Sequence, residues 1–274
     1  MKPNSGFSLV ELLVASTIML LVLAMAYTAF IQTRKVSIRN QMDAEIIQNA
    51  RVGLNEMART LRMIGYQCDR NNAQVALIEA APFQVIFNAD VYEQHSALRP
   101  GDLVRLYDSS YYKAPMVNYT THAETIRWTL DTNDDGLVDK RDTNDNIEER
   151  ETAWNPNDMV FIKEINGEND QQVTLSLLGP FDAKDQRTNL TPLFQYWLLE
   201  PNQTFSLLGD SNNDGRLDGD EKYFRSITSQ QILQYVRRIQ ITITTESDRT
   251  DPFNRKQHRR VNLSSEVSLR DAEK

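Results

Sequence analysis

From Phe7 to Ile31 the chain runs for 25 residues with a single charged side chain, Glu11. At about 1.5 Å of rise per residue, a helix of that length crosses the roughly 30 Å hydrocarbon core of a bilayer. A carboxylate inside such a segment costs several kcal/mol to bury, so it is kept where it has a partner or a task. No Lys or Arg lies between Phe7 and Ile31, so a cationic partner has to come from elsewhere. Cutting the chain between Gly6 and Phe7 would create one, because the new α-amino group is a cation at the head of an apolar helix. In a stack of such helices, Glu11 of one subunit would neutralise the amino terminus of the next.

The string Gly6-Phe7-Ser8-Leu9-Val10-Glu11, preceded by a short leader carrying Lys2 and opening an apolar helix, resembles the type IV prepilin cleavage and methylation motif. The resemblance implies cleavage after Gly6 by a membrane-bound prepilin peptidase and N-methylation of Phe7. It implies assembly through Glu11 with other pilins or minor pilins, and a subunit held first in the bacterial inner membrane. The folded remainder would then lie in the periplasm, before passage into a pilus or pseudopilus. A secretory signal peptide would place a small-residue cleavage site after its apolar core. Gln32-Thr33-Arg34-Lys35 follows here instead. Arg34, Lys35 and Arg39 outnumber Lys2, which by the positive-inside rule alone would put the C-terminal side in the cytoplasm. The motif outweighs that count, because in this family the leader and its peptidase define the N-terminal side.

Past Ile31 the helical period continues: Ile47, Ala50, Leu54, Met57, Leu61 and Ile64 recur at steps of three and four, with Gln48, Arg51, Asn55, Arg59 and Arg62 between them. One helix is expected from about Phe7 to about Gly65, its first half in the membrane and its second half laid on a globular domain. Gly65 suits the left-handed residue that ends helices. Gly53 is expected on the polar side.

After residue 74 short alternating runs are bounded by Pro, Gly, Asn and Asp. Strands are expected at Val75–Ile78, Gln84–Phe87, Leu103–Tyr107, Thr125–Leu130, Met159–Ile165, Val173–Leu178, Phe194–Leu199, Val236–Thr244 and Val261–Leu269. A short helix is expected within 226–235 and a mobile loop over Glu246–Gln257. Helical patterns are too few for βαβ crossovers. The fold class is therefore α+β: a long N-terminal transmembrane and amphipathic helix packed on an antiparallel β-sheet domain. The resulting divisions are 1–6 leader, 7–31 membrane helix, 32–68 amphipathic continuation and 69–274 β-rich domain. This order resembles the larger minor pilins of the W type and the J-type minor pseudopilins of type II secretion.

The formal charge of −8 is unevenly spread: Asp131–Glu151 nets −6 and Asp210–Glu221 nets −4, leaving the rest of the chain slightly basic. Two acidic loops point to local cation binding rather than to a role with nucleic acid. Asp131, Asn133, Asp135, Asp139 and Asp142 occupy positions 1, 3, 5, 9 and 12 of an EF-hand-type loop, with Gly136 at position 6 and the Leu137 carbonyl at 7. Asp210, Asn212, Asp214, Asp218 and Glu221 repeat the pattern, with Gly215 at position 6 and the Arg216 carbonyl at 7. Oxygen ligands at this spacing suit Ca2+ in a structural role. Asp142 is shorter than the usual Glu, so weaker binding is expected in the first loop. Pro201 and the strand-like Thr125–Leu130 argue against flanking EF-hand helices.

Cys68 stands alone, so no intrachain disulfide is possible. His95, His122 and His258 are scattered without a zinc-site spacing. No phosphate-cradling glycine loop, nucleophile elbow or Cys/His pairing appears, and no catalytic role is expected. Tyr111, Tyr112, Tyr119, Trp128 and Trp154 are the candidates for an aromatic ligand surface. Three roles remain open: a minor type IV pilin acting in pilus assembly or initiation, a minor pseudopilin, or a calcium-dependent tip adhesin.

Overall fold

A computed structural model describes residues 8–68, 75–91, 123–131, 138, 140–142, 158–165, 168–180, 191–223, 225–254 and 257–269. The helix expected from the apolar period is there as α1, Leu9–Leu61. It contains an apolar window of mean hydropathy 2.5 of which nothing is buried. Further along, Met42, Ile46, Ala50, Gly53, Leu54, Met57, Ala58, Thr60 and Leu61 are buried. That face is wider than the single row the sequence suggested, and it takes in Gly53, which is not on the polar side. The reason is that several strands reach α1, so the helix is wrapped rather than merely touched. Gly65 closes the turn after α1 at φ +76°, and its N–H donates to the Asn88 carbonyl at 2.8 Å. A side chain there would meet Ala76 Cβ at 2.9 Å, so both backbone and space call for glycine.

The strands are β1 (Leu77–Ala80), β2 (Gln84–Ala89), β3 (Glu124–Thr129), β4 (Asp158–Ile165), β5 (Glu168–Leu178), β6 (Phe194–Leu199), β7 (Phe205–Leu207), β8 (Val236–Thr250) and β9 (His258–Ser268). All pairings are antiparallel. Strands β1 to β5 form a meander, while β7, β6, β8 and β9 form a second sheet, joined to the first where Leu177 of β5 faces Thr245 of β8. A short α2 (Gln230–Leu233) precedes β8. The strand β7 was not anticipated, being three residues long. The expected strand Leu103–Tyr107 lies outside the described residues.

Alternation in the strands decides which face meets α1. Val85, Phe87, Ile126, Trp128, Phe161, Phe194, Ile239, Ile241 and Ile243 share one core with Leu54, Met57 and Leu61. Trp128 stacks on Phe161 with ring centroids 5.2 Å apart, and Lys163 Nζ lies 5.3 Å from the Trp128 ring. Lys163 is 1% exposed yet paired, because α1 supplies Glu56 Oε1 at 3.2 Å.

The segment 246–257, expected as a loop, begins as strand: β8 runs on to Thr250, and His258 opens β9. Pairing continues through Glu246↔Arg260, shifts register, and resumes at Thr250↔His258, so the hairpin is longer than the sequence suggested. Arg260 Nε donates to Glu246 Oε1 at 2.6 Å across the ladder, which explains why charged residues sit in strands there.

Candidate functional site

At the head of α1, Ser8 is the N-cap. Its Oγ accepts the Glu11 N–H at 3.3 Å, and the Glu11 carboxylate accepts the Ser8 N–H at 2.9 Å. This is a capping box, and its Ser-x-x-Glu signature is legible in the sequence, although the charge argument passed over it. A carboxylate in the first turn also faces the positive end of the helix dipole. Glu11 therefore has a local hydrogen-bond donor in its own chain, but no cation near it on α1. Gly6 and Phe7, the expected cleavage pair, lie outside the described residues.

The exposed apolar face of α1 includes Leu9, Val10, Leu12, Met19, Leu20, Met25, Tyr27 and Phe30. Hydroxyls in this segment return to the helix itself: Thr17 Oγ1 donates to the Leu13 carbonyl at 2.8 Å and Thr28 Oγ1 to Met25 at 2.8 Å. With its polar groups satisfied internally, the segment meets the requirement for a lipid environment.

The second acidic loop follows β7, ends within a 3-10 turn, Gly219–Tyr223, and is fully described. Asp210 Oδ1 accepts the Asn213 N–H at 2.7 Å and Oδ2 the Gly215 N–H at 2.8 Å. Asn212 and Asp214 each turn the chain by accepting the N–H two residues on, at 2.8 and 2.9 Å. Asn213 and Gly215 take φ of +58° and +79°, the left-handed values that coil the loop around its own oxygens. Leu217, in the β-branched or aliphatic position 8, is buried and pins the loop to the core. Glu221 closes the ring: its Oε1 accepts the Ser211 N–H at 3.0 Å and the Ser211 hydroxyl, and its Oε2 the Asp218 N–H at 3.4 Å. The Ser211 hydroxyl bond holds the exposed Glu221 carboxyl below its usual pKa. The structure thus brings the whole Asp210–Glu221 set into one coiled loop. Side-chain oxygens of Asp210, Asn212, Asp214 and Glu221 accept loop amides, and among the described residues no three His, Cys, Asp or Glu side chains converge as a metal-holding group.

Of the first loop, Asp131 and Asp142 are described, while Asn133, Asp135, Leu137 and Asp139 lie outside the described residues. Both aspartates are fully buried. Asp131 Oδ2 accepts Arg127 Nη2 at 2.5 Å, and Arg127 Nη1 donates to Glu164 Oε1 at 2.9 Å. Arg127 Nε is taken by Gln84 Oε1 at 2.9 Å. Position 1 of this loop is therefore a strut of a buried charge network on the sheet face away from α1. Sequence spacing gave no sign of that, because Arg127 lies in the preceding strand.

Trp128 is not part of a ligand surface, since it is wholly buried in the core. Tyr111, Tyr112, Tyr119 and Trp154 lie outside the described residues. Cys68 Sγ rests 3.6 Å from the Asn88 carbonyl. A cavity of about 400 Å3 opens between α1 and the end of β8, lined by Ile38, Met42, Glu45, Ile46 and Asp248 among others. Burial pushes the Asp248 carboxyl upward in pKa, and its Oδ1 has no hydrogen-bond partner among the described residues.

Residues 1–27 match the family model described as the prokaryotic N-terminal methylation motif. The match ends inside α1, so it bears on the head of the helix and not on the β-domain. No curated protein and no solved structure matches the chain. A prepilin-type motif at the start of a long apolar helix, with an antiparallel β-domain on the second half of that helix, is the arrangement of a type IV pilin-like protein.

Proposed function

We propose that the chain is a minor type IV pilin, cut by prepilin peptidase and acting in pilus assembly or initiation with other pilins. The observation that carries this reading is the division of α1. A methylation motif opens an apolar segment that none of the described residues covers, while the same helix buries its second half in a large domain. An uncovered helix in a folded protein needs lipid or other helices around it, and a filament core supplies the latter. A domain this bulky suits a subunit used sparingly rather than the repeating wall of a shaft. The β-domain would face the periplasm, with the inner membrane as the first address. The same observations fit a minor pseudopilin, and the set of genes beside this one separates the two. A tip adhesin would need an exposed aromatic patch, and Trp128 offers none.

Calcium belongs to the proposal as a structural ion. In the second loop Asp210, Asn212, Asp214, the Arg216 carbonyl, Asp218 and Glu221 would hold it. In the first, Asp131, Asn133, Asp135, the Leu137 carbonyl, Asp139 and Asp142 would. The coiled backbone around Gly215 supports the second loop as the tighter site.

No group of the fold is assigned a catalytic task. Mass spectrometry of the protein from membranes tests the whole reading: a chain starting at N-methylated Phe7 is expected, and an intact Met1 in cells with active peptidase would falsify it.

A further inference from the structure

The β8–β9 hairpin runs along α1 toward the apolar segment, and its contacts trace the climb. Thr245 Oγ1 donates to the Ile46 carbonyl at 3.5 Å. Arg259 grips Asp43 at 2.9 and 3.0 Å. Asp251 meets Arg39 at 3.7 Å. At the turn, the Phe253 ring lies 5.8 Å from Lys35 Nζ and 5.8 Å from the Arg39 guanidinium carbon. Both distances are within cation-π range.

Lys35 is four residues beyond Ile31, which is about 6 Å along a helix axis. The polar layer on each side of a bilayer's hydrocarbon is about 5–7 Å thick. When the segment ending at Ile31 spans the membrane, Lys35 and the ring beside it fall in that layer. Phe253 is 47% exposed, so part of its ring is free to meet another surface. Arg34, also exposed, stands one residue before Lys35 and so at nearly the same height on α1.

We propose that the hairpin tip, Asp251–Asn254, is a membrane-contacting foot whose Phe253 ring enters the anionic phospholipid surface around α1. Arg34 and Lys35 supply the attraction to lipid phosphate. Asp251 and Arg39 hold the turn at the correct height. A second fixed point beside α1 sets the tilt of the domain, because a single helix leaves it free to swing. The inference rests on the reading of 9–31 as a membrane span.

The test uses the full chain in nanodiscs of phosphatidylcholine and phosphatidylglycerol, with Cys68→Ser to remove the native thiol. A nitroxide is attached in turn at Asn254→Cys in the foot, Gln231→Cys in α2 before the opposite end of β8, and Ala24→Cys within the apolar segment. Collision with oxygen over collision with a nickel chelate reports immersion. Asn254 is expected to be more immersed than Gln231 and less than Ala24, with the excess over Gln231 lost on Phe253→Ser. An Asn254 signal equal to Gln231, with Ala24 deep, overturns the foot while leaving the span intact. If Ala24 is as aqueous as Gln231, the span itself is wrong and the foot falls with it.

Discussion

Arg259 and Asp43 join the last strand to the first helix through two parallel hydrogen bonds, Nε to Oδ1 at 2.9 Å and Nη2 to Oδ2 at 3.0 Å. Arg259 also comes within 3.8 Å of Asp251, which itself meets Arg39. A planar fork matched to a carboxylate is the strongest form of a surface ion pair, yet both side chains remain about 30% exposed and are screened.

Arg259→Ala and Asp43→Ala are each expected to cost about 1 kcal/mol of stability, and the double variant little more than either alone. Thermal melts of the detergent-solubilised chain measure this. Additive losses would mean that the two residues act on separate partners.

The capping box separates two tasks of Glu11. Glu11→Gln keeps an acceptor for the Ser8 N–H and removes the charge, whereas Ser8→Ala opens the box and keeps the charge. A lost cap costs roughly 1 kcal/mol, little for so long a helix. We expect Glu11→Gln to insert in the membrane but abolish filaments, and Ser8→Ala to retain them, by electron microscopy of a complemented deletion strain. Filaments from Glu11→Gln would leave Glu11 as a cap and nothing more.

Arg127 holds two buried carboxylates, and removing it strands both. Arg127→Ala is expected to cost about 3–5 kcal/mol, well beyond the loss of a surface pair. A drop in melting temperature no larger than that of Arg259→Ala would show that Asp131 and Glu164 find other donors.

Asp248 sets a pH dependence. Its pKa is raised by burial first and by Glu45 nearby, against the lowering influence of Arg249 and His258. A carboxyl with a raised folded pKa contributes stability below its unfolded value near 4, and that contribution is lost as pH rises through the folded pKa. At neutral pH the ionised group is therefore a net cost. Asp248→Asn should raise the melting temperature at pH 7, with the gain vanishing toward pH 4. A gain independent of pH would point to packing instead.

How far the sequence carried depended on whether a pattern was local. Helix α1 was legible because Ala50, Leu54, Met57 and Leu61 repeat within one element, and β6 because Phe194–Leu199 is bounded by turn residues. The continuation of β8 was not, since Glu246 and Arg249 look like loop residues until Arg260 and the helix provide their partners. Cross-strand ion pairs are long-range, and single-sequence periodicity has no term for them. The same holds for Asp131, whose ligand-like spacing concealed its tie to Arg127. Arg39, counted against the topology as a free cation, is engaged by Asp251.

Calcium is the last expectation, and the geometry narrows how it must be tested. In the second loop the Asp210, Asp214 and Glu221 carboxylates hold the backbone, and an oxygen that accepts an amide N–H keeps another lone pair for an ion. Five acids within twelve residues repel one another, so an ion that neutralises them should stabilise the folded chain as RT ln(1 + [L]/Kd). A site with Kd of about 10⁻⁴ M would be mostly filled at roughly millimolar calcium. Asp214→Ala and Glu221→Ala are expected each to remove most of the calcium-induced rise in melting temperature. Asp135→Ala should remove a smaller share. Asp131 is the wrong residue to vary in the first loop, because its loss would also break the Arg127 network and lower stability with or without the ion. A melting temperature identical in chelator and in millimolar calcium, with no heat of binding by calorimetry, would leave both loops as acidic turns held by their own amides.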